Sequence, residues 1–117
     1  MIALFSLSAC GVTNDLKTVS DNGKAFMTAL RDGDHNASWA LLTPDVQTEI
    51  GSYDNWVAFA TPRNFSKFSF SSTNVENDQA QMDGEASFPN GETYTVTLIF
   101  YKINDQWLIA GINFALK

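Results

Sequence analysis

Nucleophilic catalysis needs a nucleophile beside a base that a third group orients, and this chain carries one histidine, His35, in a polar break after Asp34. That setting reads as a solvated loop or cap. Zinc takes three or four His, Cys or carboxylate ligands, and His35 with the single cysteine, Cys10, falls short of a site. Asp32, Asp34 and Asn36 alternate as calcium ligands do, but the other carboxylates and carbonyls of a calcium loop are missing. No metal and no cofactor is therefore expected. Asp83 and Glu85 are strand carboxylates at odd positions, opposite in phase to the apolar even residues around them. The aromatic residues are the remaining signal. Trp39, Tyr53, Trp56 and Phe59 cluster on short helices, and with Met82 and the small Gly84 on the even strand face they form an expected apolar cup. Core packing accounts for the same residues equally simply. A cup of this kind would take a small apolar ligand.

The chain has 117 residues, enough for one domain that buries about two-thirds of its unfolded surface. Hydrophobic residues make up 44% and charged residues 17%, as in an ordinary globular protein. A net charge of -6 argues against nucleic acid, whose phosphates it would repel, and against a polybasic membrane patch. One cysteine cannot close an internal disulfide, so the core must supply the stability. Residues 1 to 9 are apolar and uncharged and end in small residues before Cys10. They read as a secretory segment, too short to span a bilayer. Leu7-Ser8-Ala9-Cys10 resembles the bacterial lipobox, although no Lys or Arg precedes the short apolar run. That resemblance implies lipid on Cys10, a tether over 10–17, and a domain over 18–117. It places the protein on the membrane of a bacterial cell envelope, facing the periplasm or the exterior.

Apolar residues Val19, Gly23, Phe26, Met27 and Leu30 form one helical stripe after a start signal at Thr18 and Asp21, and Gly33 stops it. Asp34, Thr43 (followed by Pro44) and Ser52 are start signals for three further short helices. After Thr61-Pro62 the pattern changes to period two, the mark of strands with one buried face. Phe68 and Phe70, then Ala80 to Phe88, Tyr94 to Phe100 and Leu108 to Leu116 keep their apolar residues at even positions. Phe88 to Glu92 predicts a three-residue hairpin loop with Gly91 in the left-handed position. A second three-residue loop, 104–106, would pair Phe100 with Ala110, Leu98 with Ile112 and Val96 with Phe114. In that register Ile99, Tyr101 and Trp107 share the outer face, apolar enough to predict a sheet-on-sheet homodimer.

Helices followed by a four-stranded antiparallel meander predict an α+β fold, with the sheet curled around its helices. Phe26 to Asp34, Trp39 to Asp45 and Asn104 to Ile109 together resemble the NTF2-like (cystatin-like cone) superfamily, over about residues 18 to 116. The same motifs resemble those of small bacterial lipoproteins with domains similar to DUF4878. The resemblance implies N-terminal helices in the concave face of the sheet, but the fold hosts enzymes and inert modules alike. The expectation is a non-catalytic domain binding a small apolar ligand or an envelope protein. An isomerase- or dehydratase-like enzyme is the competing class; the acid–base pair such members carry in the cone has no evident match among the even residues. A structural dimer with a filled cone is the third.

Overall fold

The computed structural model describes residues 2–117, with side chains from residue 14 onward. Four helices precede four strands: α1 (Ile2–Asp32), α2 (His35–Ala40), α3 (Pro44–Ile50), α4 (Tyr53–Ala60), a 3₁₀ turn (Thr61–Arg63), then β1 (Lys67–Glu76), β2 (Gln79–Ser87), β3 (Thr93–Ile103) and β4 (Gln106–Leu116). The strands form one antiparallel sheet in the order β1-β2-β3-β4. This is the predicted α+β arrangement.

Local chemistry sets most of the helix ends. Gly33 leaves α1 with φ +72°, the left-handed conformation that costs glycine little. The side chains of Asp34, Thr43 and Ser52 accept from the backbone N–H groups of Ala37, Val46 and Asn55, capping α2, α3 and α4 in turn. The start of α1 differs from expectation. The helix is already formed through Asn14 to Lys17, where the sequence places a tether, and Asp21 caps nothing. Asp21 instead accepts from Lys17 at 2.7 Å, an i,i+4 pair on the solvent side. On the opposite face Val19, Gly23, Phe26, Met27 and Leu30 are all buried, as the stripe predicts.

The sheet reaches its register by an unexpected route. Both β1–β2 and β3–β4 are joined by two-residue turns, at Asn77-Asp78 and Asn104-Asp105, since Glu76 pairs with Gln79 and Ile103 with Gln106. Asn77, Asn104 and Asp105 all take positive φ, the backbone that tight hairpins require. Each turn puts its strands one residue out of phase, and each hairpin corrects the error with a β-bulge. One lies between Phe70 and Ser72 on β1; the other leaves Ala110 as the extra residue of β4, opposite the Ile99–Phe100 step. Beyond the bulges Phe70 faces Gly84, while Leu98 faces Ile112 and Val96 faces Phe114 as predicted. Before the second bulge Phe100 faces Ile109, not Ala110, and β4 is inverted. Trp107 and Ile109 therefore point inward and are 2% and 0% exposed. The expected outer seam loses Trp107 for this reason, and keeps the half-buried Ile99 and the exposed Tyr101.

Inside the curl, Phe26, Met27 and Leu30 of α1 pack against Met82, Val96, Leu98, Phe100 and Ile109 of the sheet. Two hydrogen bonds tie the α2–α3 connection to β4: Thr43 N–H to Ile109 O at 2.9 Å and Ile109 N–H to Leu41 O at 2.7 Å. Leu42 thereby forms a short parallel bridge at the outer edge of β4 before Pro44 turns the chain away.

Candidate functional site

That departure leaves a gap. From Pro44 onward α3 and α4 stand off from β4, and an open groove of about 480 Å³ lies between them. Val46 and Ile50, one helical turn apart on α3, line one wall with Glu49; Asn55, Trp56 and Phe59 of α4 line the next. Ala110, Gly111 and Ile112 form the third wall. The bulge is what places small residues there, because Ala110 is the unpaired residue and a Cβ on Gly111 would point at Ile99 on the other face.

The groove walls are held by buried polar contacts. The Trp56 indole N–H donates to Ser38 Oγ at 2.8 Å, and that hydroxyl donates in turn to His35 O at 3.1 Å. Trp56 and Ser38 are both fully buried, so this bond satisfies a donor that would otherwise cost about 1–3 kcal/mol. Trp56 stacks on Phe59 at 5.4 Å between ring centroids and leans on Phe26 at 5.9 Å. Asn55 closes the end of α3 by donating to Ile50 O at 2.9 Å. Arg63 lies 3.8 Å over the Phe59 ring and donates to Phe59 O at 2.7 Å, at the far end of the groove. Past it a second concavity is lined by Pro62, Arg63, Phe65, Phe88, Tyr94 and Phe114. Phe65 is buried there, stacked on Phe88 at 4.6 Å and edge to face with Tyr94 and Phe114 at 5.5 and 5.2 Å. Glu49 is exposed and joins no ion pair among the described residues.

Of the residues expected to line a cup, the structure brings Trp56 and Phe59 to the groove and the others elsewhere. Trp39 and Tyr53 pack edge to face at 5.9 Å and are half-buried away from it. Met82 is fully buried under α1, where a Cβ on Gly23 would stand 2.2 Å from its sulfur. Gly84 is closed over by β1: a Cβ there would meet Ser69 O at 2.1 Å and the Phe70 ring at 3.0 Å. Phe70 fills the space that the small residue leaves. Val46, Ile50 and Ile112 escaped the site prediction because a half-buried aliphatic side chain reads as ordinary core. The i,i+4 pair on α3 is their one sequence signal.

The carboxylates on the strands face away from the helices. Asp83 accepts from Thr97 Oγ1 at 3.0 Å and from Gln81 Nε2 at 2.9 Å on the outer face, and Glu85 pairs with Lys117. Asp34 caps α2, and Asp32 is bound to Arg31 at 2.9 Å. His35 opens α2 half-buried, with Nδ1 shielded from solvent and unbonded. Asp15 has a depressed pKa: the hydrogen bond from the Trp107 indole at 3.0 Å lowers it, burial opposes, and Lys102 at 3.2 Å adds to the lowering. Leu7 to Cys10 lie outside the residues whose side chains are described, and no described helix is long and apolar enough to cross a membrane.

No family model and no curated protein matches the sequence. Solved structures do share the fold. An NTF2-like protein of unknown function from Silicibacter pomeroyi superposes with a TM-score of 0.70 at 14% identity, covering 91% of this chain and 98% of its own. A candidate dehydratase of the NTF2-like family from Streptomyces avermitilis gives 0.68 at 13%, covering 90% and 97%. A DUF4783 family protein from Bacteroides uniformis gives 0.63 at 13%, covering 80% and 95%. At these identities the likeness is one of fold, and the fold is that of the NTF2-like proteins.

Proposed function

We propose that this protein is a non-catalytic binding module held on a bacterial envelope membrane by lipid on Cys10, akin to the small lipoproteins with DUF4878-like domains. Its site is the groove between α3, α4 and β4. The observation that carries this reading is the groove itself: about 480 Å³, open, and walled by Val46, Ile50, Trp56, Phe59 and Ile112. A volume of this size lies within the range of small-molecule sites. Dehydratase chemistry, by analogy with a structural neighbour, would need an acid and a base together inside the cone. Asp83 and Glu85 are engaged on the opposite face, and Tyr94 packs against Phe65 and Phe88. A structural dimer is the second reading, favoured by Tyr101, which is 44% exposed on the outer face beside Ile99.

The groove is tested with an environment-sensitive apolar dye. The wild-type protein should bind it, and Ala110→Phe, which fills the third wall, should abolish the binding. Overpacking costs about 1–3 kcal/mol where the site cannot yield, so Val46→Lys at the lip provides a second variant. Both are first shown folded by circular dichroism. Unchanged dye binding in the two folded variants would overturn the assignment.

A further inference from the structure

We propose that the groove and the free edge of β4 together receive an extended polypeptide segment bearing a basic side chain, added to the sheet as a fifth strand. The inference rests on the groove being a binding site and names the class of its occupant.

The backbone phase of β4 is the first argument. Lys117 N–H donates to Thr93 O at 2.8 Å, so Lys117 and, by alternation, Ala115 and Asn113 turn their peptide groups toward β3. Ile112, Phe114 and Leu116 therefore direct theirs to the opposite side. β4 is the last strand, and among the described residues its outer edge is met at Ile109, by Leu41 and Thr43. From Gly111 to Leu116 the edge is unpaired over roughly 20 Å. The short parallel bridge at Leu42 shows that this edge accepts a neighbouring strand; Pro44 ends it just where the groove begins.

Edge chemistry is the second. Natural sheets blunt their edges with charge, proline or bulges. β1 does so, with Lys67 and Glu76 at its ends, a serine-rich outer row and a bulge at Ser71. β4 has its bulge at Ala110, before this stretch, and reads Gly-Ile-Asn-Phe-Ala-Leu from 111 to 116, with neither charge nor proline until Lys117. The same residues that offer backbone groups also face the two concavities: Ile112 lines the groove and Phe114 lines the one beyond Arg63. A strand laid here would hydrogen-bond through its backbone and set alternate side chains over Ile50, Trp56 and Phe59, the mode by which extended peptides add to sheets.

Charge decides the rest. Glu49 lines the groove without a cation among the described residues, the chain carries -6, and Arg63 is held by the carbonyl and ring of Phe59. A Lys or Arg on the incoming strand completes Glu49. A second copy of this chain would bring the same negative charge to the edge.

The probe is the acetylated, amidated peptide Lys-Val-Thr-Val-Thr-Val, titrated into the protein with amide hydrogen exchange read by nuclear magnetic resonance. Exchange should slow at Ile112, Phe114 and Leu116 and change little at Asn113 and Ala115. N-methylating the peptide throughout should weaken binding about tenfold or more, since it removes the donors a strand must share. Replacing its Lys by Glu should weaken binding, and Glu49→Lys should reverse that preference. Equal binding of the methylated peptide, or protection that avoids the even residues, would overturn the fifth strand. So would an absence of peptide binding while the apolar dye still occupies the groove, or a dimer of the free protein that already protects this edge. If neither dye nor peptide binds, the groove itself is not a site.

Discussion

Gly84 on β2, under β1, and Gly23 on α1, over Met82, both lack space for a methyl group, yet they should respond differently to one. At Gly84 the obstacle is backbone: Ser69 O at 2.1 Å and Phe70 Cα at 2.8 Å from a would-be Cβ. The adjoining strand would have to move. At Gly23 the obstacle is the end of Met82, Sδ at 2.2 Å and Cε at 2.8 Å, and thioether rotamers adapt. Alanine also gains about 1 kcal/mol over glycine inside a helix. Gly84→Ala should therefore lose about 1–3 kcal/mol in urea denaturation, and Gly23→Ala should stay within about 1 kcal/mol of wild type. Equal losses at the two sites would show that the sheet yields as readily as the methionine. The same geometry explains why a small residue in a strand did not mark a cup: its vacancy is filled by the ring opposite.

At the scale of elements, α1 is fastened to the β3–β4 hairpin at one point. Asp15 accepts from the Trp107 indole and from Lys102, while Asn22 donates to Trp107 O at 2.9 Å. The inverted register before the Ala110 bulge is what turns Trp107 inward to meet them. Because the Asp15 carboxyl has a lower pKa folded than unfolded, its charge stabilises the fold above the unfolded value, roughly 3.9. That contribution is lost as pH falls below it toward the folded value. Asp15→Asn should cost up to about 1 kcal/mol at neutral pH, the pair being partly screened by solvent. Thermal melts of wild type and variant should converge as pH falls below about 4. A gap that is constant with pH would assign the effect to packing instead of charge.

For the whole molecule, this docking limits how far the domain can stand from its proposed anchor. The chain from Cys10 to Asp15 reaches at most roughly 18 Å even when fully extended. Lipid on Cys10 would thus hold the β3–β4 hairpin end against the bilayer. Expressed behind a bacterial lipoprotein signal, the protein should take up labelled fatty acid and fractionate with membranes. Cys10→Ser should lose the label and appear in the soluble fraction. Equal labelling of both would remove the anchor from the proposal and leave the groove standing.

Features set by neighbours within a few residues were legible without the fold. Caps at Asp34, Thr43 and Ser52, the left-handed Gly33 and Gly91, and the alternation of β2 and β3 depend on local backbone and side-chain chemistry, and all are present. The curl of the sheet around its helices followed from those elements and their order. The site did not. A three-residue loop and a two-residue turn with a later bulge restore the same even-to-even pairing, so no periodicity distinguishes them. They differ only in the stretch between turn and bulge, where Trp107 and Ile109 exchange faces with their neighbours. Binding the Trp107 indole to Asp15 and its carbonyl to Asn22, and seating Ile109 against the Leu41–Thr43 segment, involve partners tens of residues away. That long-range packing places the bulge at Ala110, and the bulge, with the turn of the chain at Pro44, opens the groove.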